Sequence, residues 1–140
     1  MPAVFEKLGV RFEYPDSWQV DEDEVRESGD TITVYSPGGG FWSLNIQQPE
    51  VDPDALASAA VEAMQAEYDN LDSEPVTDST AGVELSGYDM NFYCLDLTNT
   101  ARVRVASRPQ ATYVIVCQAE DREFEAISQV FDAITASLLR

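Results

Sequence analysis

The side chains that most often act as general bases or metal ligands are scarce in this sequence. It contains 26 Asp and Glu residues and two cysteines, but no histidine. Serine and cysteine hydrolases usually activate their nucleophile through a histidine, and zinc sites are usually built on histidine or on four cysteines. A carboxylate pair for glycoside chemistry could be assembled, but no spacing among the acids singles one out. We therefore predict no catalytic residue, no metal site and no cofactor.

The densest group of carboxylates is the run Asp-Glu-Asp-Glu at positions 21–24, with Glu27 and Asp30 nearby. Oxygen-rich loops can hold calcium, but the twelve-residue EF-hand pattern with its central glycine and final glutamate is missing. We interpret residues 21–29 as an acidic, solvated loop that could face a partner. Weak cation binding by this loop stays open as the alternative.

The glycine run 38–40 is the segment that could in principle cradle a phosphate. A phosphate-binding loop opens a helix, whereas Phe41 and Trp42 follow here and begin a predicted strand, with no lysine in the Walker position. The run therefore predicts the flexible tip of a β-hairpin formed by residues 31–35 and 42–46.

The few cations and the aromatic residues are the side chains that could contact a partner. Arg11, Arg102 and Arg104 alternate with apolar residues on predicted strands, and neighbouring strands would join them into a cationic stripe. The alternative is cross-strand pairing with Glu13 or Asp96. Aromatic residues near the glycine run exceed what one sheet face needs, so any that is left exposed would anchor a partner. The predicted partner-binding residues are Phe41, Trp42, Arg11, Arg102 and Arg104.

The formal net charge of −18 limits the kinds of partner. A field of this sign repels nucleic-acid phosphates and disfavours docking on anionic membranes, so basic or apolar proteins are the expected partners. No stretch approaches the ~18 apolar residues of a membrane span, and the N-terminus lacks a signal-peptide pattern. We therefore expect a cytoplasmic protein. Cys94 and Cys117 lie on predicted strands separated by a third strand, about 9–10 Å apart, and are expected to be free thiols.

The hydrophobic pattern predicts an α+β fold with an antiparallel sheet of about six or seven strands flanked by helices. A first strand runs from Val10 to Tyr14 and ends at a proline turn, after which Trp18 needs cover. Asp52 and Pro53 begin a helix. A β-meander follows from Val83, with turns at 99–100 and 108–110. The length of 140 residues fits a single domain, 1–140.

The last segment gives the strongest periodic signal of the chain. After the apolar strand 112–118, residues Asp121 to Leu139 predict an amphipathic helix. Its apolar side is formed by Phe124, Ile127, Phe131, Ile134 and Leu138.

The turn Tyr14-Pro15-Asp16-Ser17-Trp18, the closing strand Tyr113–Cys117 and the helix end Phe131–Leu139 together resemble the Mog1/PsbP-like family, which includes the DUF1795 proteins. The resemblance implies an antiparallel sheet sandwiched between helices. Members of the family are mostly binding proteins: a Ran-GTPase-binding factor, an extrinsic photosystem subunit and adaptor chaperones for secreted effectors. No motif of this chain maps onto functional residues of a member.

The function expected from the sequence is a non-enzymatic protein-interaction module that uses the sheet face or hairpin around Phe41, Trp42 and Arg104. One alternative is an acidic adaptor chaperone that shelters an apolar segment of its partner and works as a homodimer. A second alternative is an enzyme with carboxylate or Tyr chemistry in a cleft.

Overall fold

The computed structural model describes residues 2–140, which form two sheets and three helices. In chain order the elements are β1 Pro2–Lys7, β2 Val10–Pro15, β3 Gln19–Val20, α1 Glu22–Ser28, β4 Thr31–Tyr35, β5 Phe41–Gln47, α2 Pro53–Glu67, β6 Asp72–Thr80, β7 Val83–Cys94, β8 Leu97–Ser107, β9 Thr112–Glu120 and α3 Asp121–Leu139. No helix in this part of the chain is both long and apolar enough to cross a membrane.

The main sheet is antiparallel and has seven strands in the order β3-β4-β5-β9-β8-β7-β6. β9 lies at its centre, as its continuous apolar run predicts, because a strand covered on both faces needs apolar side chains on both. Helix α3 packs on one face of the sheet and α2 on the other. The prediction of an α+β fold with an antiparallel sheet between helices is confirmed.

Helix α3 holds the larger of the two hydrophobic clusters. Phe124, Phe131, Ile134 and Leu138 are buried as the periodicity predicts. The ring of Trp18 meets the ring of Phe131 edge-on at 5.7 Å, so the turn after β2 finds its cover on α3. The β1–β2 ribbon, which is hydrogen-bonded separately from the main sheet, also packs on this helix.

Helix α2 covers the opposite face. The Asp52 side chain accepts a hydrogen bond from the Asp54 backbone N–H, and Pro53 occupies the first turn, as predicted. Ala57 and Val61 are the buried residues of this helix. The small side chains at these positions let the helix approach β7 and β8 closely.

The acidic segment 21–29 is a helix, not the predicted loop. Asp21 caps α1 by accepting a hydrogen bond from the Glu24 backbone N–H, and the acidic first turn suits the positive end of the helix dipole. Gly29 ends the helix in the left-handed conformation, with φ of 71°, and donates its N–H to the Val25 carbonyl. Val25 is the one buried side chain of α1, which is too little apolar content to produce a periodic signal.

The turn between β7 and β8 was placed wrongly at 99–100 from the sequence. The chain turns at Leu95 and Asp96, whose φ values are 52° and 64°. Two successive residues with positive φ form the hairpin turn that Asn-Gly usually makes, so Leu-Asp gives no turn signal in the sequence. Strand β1 was not predicted.

Candidate functional site

Of the two aromatic residues predicted to bind a partner, one lies in the core. Trp42 is fully buried, its ring centroid lies 4.8 Å from that of Phe12, and its Nε1–H donates a hydrogen bond to Thr135 Oγ1 at 3.0 Å. Its hydrogen-bonding group is thereby satisfied within the protein. Trp42 joins β5 to α3 and is not available as a surface anchor, which corrects the prediction for this residue.

Phe41, the other aromatic residue, lies at the surface. It is half-buried and meets the ring of exposed Tyr35 edge-on at 6.0 Å. Burial raises the pKa of Tyr35, and the negative charges of Glu24 and Asp21 raise it further, so the phenol stays protonated at neutral pH. This pair is a small aromatic patch beside α1.

The three predicted arginines do not form one stripe. Arg11 is exposed on β2, in the separate ribbon, whereas Arg102 and Arg104 lie on β8. The strands that would have to be neighbours belong to different sheets. The stripe hypothesis is therefore wrong.

Arg104 is buried and paired on several sides. Its Nε donates to Asp78 Oδ2 and its Nη2 to Asp89 Oδ1, both at 2.7 Å, and its Nη1 donates to the Tyr88 and Val103 carbonyls at 3.1 Å. Burial lowers the pKa of Arg104, but hydrogen bonds and charges from the two aspartates outweigh it, so the pKa is raised. Arg104 stays charged and ties β6 and β7 to β8. Arg104 thus forms ion pairs, as the alternative to the cationic stripe predicted, but its partners are Asp78 and Asp89 and not Glu13 or Asp96.

Arg102 lies beneath α3 and contacts two side chains of that helix. Its Nη1 donates to Asp132 Oδ1 at 2.8 Å, and its guanidinium lies 4.8 Å from the centroid of the Phe124 ring. A cation at this distance from an aromatic face is attracted to it. Arg102 therefore fastens α3 to the sheet, and a partner could reach it only in competition with Asp132.

The two cysteines are free thiols, as predicted. Strand β8 separates their strands. Cys117 is buried, and burial raises its pKa to about 12, against which the nearby charge of Arg102 acts only weakly. A thiol that is protonated at neutral pH is a poor nucleophile.

The glycine run is fixed against the first turn of α3. Ser36 Oγ donates a hydrogen bond to Glu123 Oε2 at 2.6 Å, and a Cβ atom at Gly38 would lie 2.2 Å from the same oxygen. At Gly40 a Cβ atom would lie 2.8 Å from Glu123 and 2.9 Å from Ala119 Cβ. The run joins β4 to β5 and so forms the predicted hairpin tip. At Gly40 the Cβ of Ala119 on β9 leaves no room for a side chain, whereas the atoms near Gly38 are the flexible end of the Glu123 side chain.

The exposed apolar side chains at the surface concentrate at the end of the β7–β8 hairpin. β6 pairs with β7 only as far as Asn91, and β9 pairs with β8 only as far as Asn99. Residues 92–98, which we call the β7–β8 tip, therefore project beyond both neighbouring strands. Within the tip, Tyr93 is 66% exposed, Leu95 92% and Leu97 53%.

The base of the tip is anchored, although its end is not. The buried ring of Phe92 stacks on the ring of Tyr68, the residue that ends α2, with centroids 4.3 Å apart. Phe92 lies on the α2 face of the sheet. Because side chains alternate along a strand, Tyr93 points to the other face, the one that α3 covers. The tip thus presents an aromatic ring on the side of α3.

An open groove of about 830 Å³ lies between the β7–β8 tip, the glycine run and the start of α3. We call it the acidic groove. It is lined by Gly38, Asp96, Leu97, Thr98 and the four residues Glu120–Glu123. The sequence pattern does not reveal this site, because Leu95 and Leu97 flank Asp96 with the alternation of an ordinary strand. The signal that could have identified it is the number of apolar residues in the segment 92–98, because the ends of two strands cannot bury all of them.

Other depressions also occur within residues 2–140. A groove of about 560 Å³ runs between the end of β2 and the C-terminal half of α3, with Tyr14, Pro15, Val130, Ala133 and Ile134 among its lining residues. Another is a shallow acidic surface on α1. No group of three or more Asp, Glu or Cys side chains in the described part of the chain is arranged to hold a metal ion.

Comparison with known proteins identifies the fold and leaves the function open. No family model and no curated protein matches the chain. Solved structures do match. The chain aligns with the cyanobacterial PsbP protein of Synechocystis at a TM-score of 0.61 and 13% identity, over 98% of this chain and 89% of that one. This chain has the PsbP fold.

Two other solved structures are similar at the same level. A protein of unknown function from Pseudomonas aeruginosa aligns at a TM-score of 0.56 and 11% identity, over 99% of this chain and 96% of that one. A protein from Bacteroides thetaiotaomicron aligns at a TM-score of 0.65 and 11% identity, over 96% of this chain. The chain spans 46% of the length of the Bacteroides protein. At such identities the likeness concerns the fold alone.

Proposed function

We propose that this chain is a non-enzymatic protein-interaction module of the Mog1/PsbP-like family, working in the cytoplasm, and that its partner binds at the β7–β8 tip. The observation that carries the proposal is the exposure of Tyr93, Leu95 and Leu97 at one projecting end of the sheet. Clustered apolar side chains at a surface mark interaction sites, and tyrosine is frequent among the few residues that contribute most of the binding energy at such sites.

The backbone of the tip supports the same proposal. Leu95 has a φ of 52° and its side chain makes almost no contact with the protein. A left-handed conformation costs a residue with a Cβ atom about 1–2 kcal/mol, and at Leu95 this conformation closes the β7–β8 hairpin turn. Asparagine or glycine would form the same turn with less strain, so a leucine at this exposed position favours a use for its side chain. A bound partner that covers Leu95 would bury that side chain.

Site-directed photo-crosslinking tests the proposal. A benzophenone amino acid replaces Leu95 in one variant and Val4 in a second; Val4 is 45% exposed on β1, away from the tip. Each variant is irradiated in an extract of the cells that make the protein, and adducts are identified by mass spectrometry. We expect a discrete protein adduct from position 95 and none from position 4. Equal adduct patterns at both positions, or no adduct at position 95, would refute the tip as the binding site.

The groove between β2 and α3 favours a second candidate function, the acidic adaptor chaperone. Its lining is largely apolar, so it could shelter an apolar segment of a partner. A third crosslinking variant, at exposed Ala133 in this groove, separates the two candidates. Adducts at position 133 and not at position 95 would support the chaperone. Light scattering after size exclusion would show whether the homodimer expected for that role exists.

A further inference from the structure

We propose that the acidic groove and the β7–β8 tip together bind a short basic segment of a partner protein, in which apolar side chains alternate with lysine or arginine. This inference rests on the proposed function and specifies the chemistry of the partner. It combines two features that meet at Leu97, which belongs to the tip and also lines the groove.

The charge of the groove is not neutralised by the protein itself. Its lining contains four acids, Asp96, Glu120, Asp121 and Glu123, against one cation, Arg122. Within residues 2–140, none of these four acids forms an ion pair with a lysine or arginine. Each carboxylate that accepts an internal hydrogen bond does so from an uncharged group, and a carboxylate has about four acceptor sites in all. The groove therefore keeps both its negative charge and spare acceptors for a cationic ligand.

An anionic ligand does not fit the start of α3. The Glu120 side chain already accepts hydrogen bonds from the backbone N–H groups of Arg122 and Glu123, so these donors of the helix N-terminus are used. The surrounding carboxylates would also repel a phosphate or carboxylate. The helix end thus belongs to the acidic surface.

A second copy of this chain does not fit either. A symmetric dimer through this surface would bring the same patch of both copies together, because a two-fold interface is self-complementary. Each copy would then place four carboxylates against four more, on chains that each carry a net charge of −18. Like charges brought together at an interface disfavour it. A basic segment removes this repulsion and adds attraction.

The apolar tip explains why charge alone is not sufficient for the partner. Tyr93 pairs across the hairpin with Thr98, and Leu97 pairs with Cys94. Tyr93 and Leu97 therefore lie on opposite faces of the tip, and Leu95 lies at its end. A segment lying in the groove would pass beside these side chains. Apolar residues between its cations would cover the tip and remove Leu95 from water.

The inference is tested with three synthetic twelve-residue peptides titrated into the ¹⁵N-labelled 140-residue chain and followed by amide chemical shifts. The first peptide alternates lysine with phenylalanine, the second replaces every phenylalanine by serine, and the third replaces every lysine by glutamate. We expect the first to shift amides of residues 95–98 and 120–123, the second to bind about tenfold more weakly or worse, and the third not to bind. Binding of the first should weaken as salt is added.

Matched variants show whether the peptide binds specifically to the acidic groove or responds only to the net charge of the protein. Asp96→Asn with Asp121→Asn removes two charges in the groove, and Glu27→Gln with Glu62→Gln removes two from exposed positions elsewhere. We expect the groove pair to weaken binding by about two- to fivefold for each charge and the distant pair to change it much less. Equal losses in both pairs, or shifts spread over all acidic surfaces, would overturn the inference.

The outcomes also separate this inference from the proposed function. A crosslink at position 95 that still forms when irradiation is carried out in high salt, together with peptides that fail to shift residues 120–123, would leave the interaction module standing and refute the basic segment. Absence of both the crosslink and the peptide shifts would refute both proposals.

Discussion

The substitution Leu95→Asn should make the protein more stable while weakening its interaction. Leu95 adopts a left-handed backbone with φ of 52°, and its side chain is 92% exposed. Asparagine tolerates this conformation better than leucine does, and almost no packing is lost because the leucine contacts almost nothing. We expect the free energy of unfolding to rise by about 0.5–1 kcal/mol, which corresponds to about 2–4 °C in Tm for a chain of this size.

The matched control is Leu97→Asn, two residues further along. Leu97 pairs across the hairpin with Cys94 and is about half-buried, and it has no positive φ. Asparagine is a poor strand residue and removes apolar contact there, so stability should fall by about 1 kcal/mol. The two substitutions exchange the same side chains in the same hairpin and are expected to have opposite signs.

Urea unfolding monitored by tryptophan fluorescence measures both variants, because Trp18 and Trp42 are both buried in the folded chain. The crosslinking partner, or the alternating lysine–phenylalanine peptide, then measures binding by the same proteins. A loss of stability in Leu95→Asn would show that Leu95 supports the hairpin, and the argument from strain would be wrong. A gain in stability with unchanged binding would refute the tip as the contact surface.

Three further predictions concern the core and its charges. Gly87→Ala should destabilise the protein by more than about 3 kcal/mol or prevent folding, because the added Cβ would lie 1.8 Å from the Val103 carbonyl oxygen; expression and urea unfolding measure this. Arg104→Met should cost about 1–3 kcal/mol by removing the hydrogen-bonded ion pairs with Asp78 and Asp89, which are partly exposed, and replacing both aspartates by asparagine in the same chain should restore part of it. Between pH 9 and about 12 the unfolded chain loses the Cys117 thiol proton and the folded chain keeps it, so Cys117 alone should lower the free energy of unfolding by about 1.4 kcal/mol per pH unit as the pH rises. Cys117→Ala should flatten this part of a pH profile of stability.

The sequence predicted the elements whose burial is periodic. Helix α3 and the central strand β9 were placed correctly because their apolar residues recur at 3.6-residue spacing or in one continuous run. The cover of Trp18 followed from the proline turn before it. These features depend on local patterns, and tertiary contacts only reinforce them.

The candidate site could not be predicted in the same way. The exposure of Leu95 depends on where β6 and β9 stop, which is a property of the register of three strand pairs and not of the local sequence. Arg104 gave the opposite error, because its two aspartate partners come from different strands and turn an apparent surface cation into a buried one. Trp42 has the side chain of a possible anchor, but its Nε1–H donates a hydrogen bond to Thr135 Oγ1, 93 positions along the chain, a contact that no local pattern indicates.

The distribution of charge gives the exposed tip a physical rationale. Within residues 2–140, four of the eight lysines and arginines form ion pairs with acids of the same chain, and two of these four lie on the sheet face beneath α3. The surface therefore carries even less unpaired positive charge than the sequence suggests. Exposed Leu and Tyr side chains on a neutral protein would promote association between copies. Here every copy repels every other, which keeps the tip free of like molecules and leaves it open to a ligand of opposite charge. Both features fit the proposed function, because the negative charge disfavours self-association through the tip and would attract a basic partner.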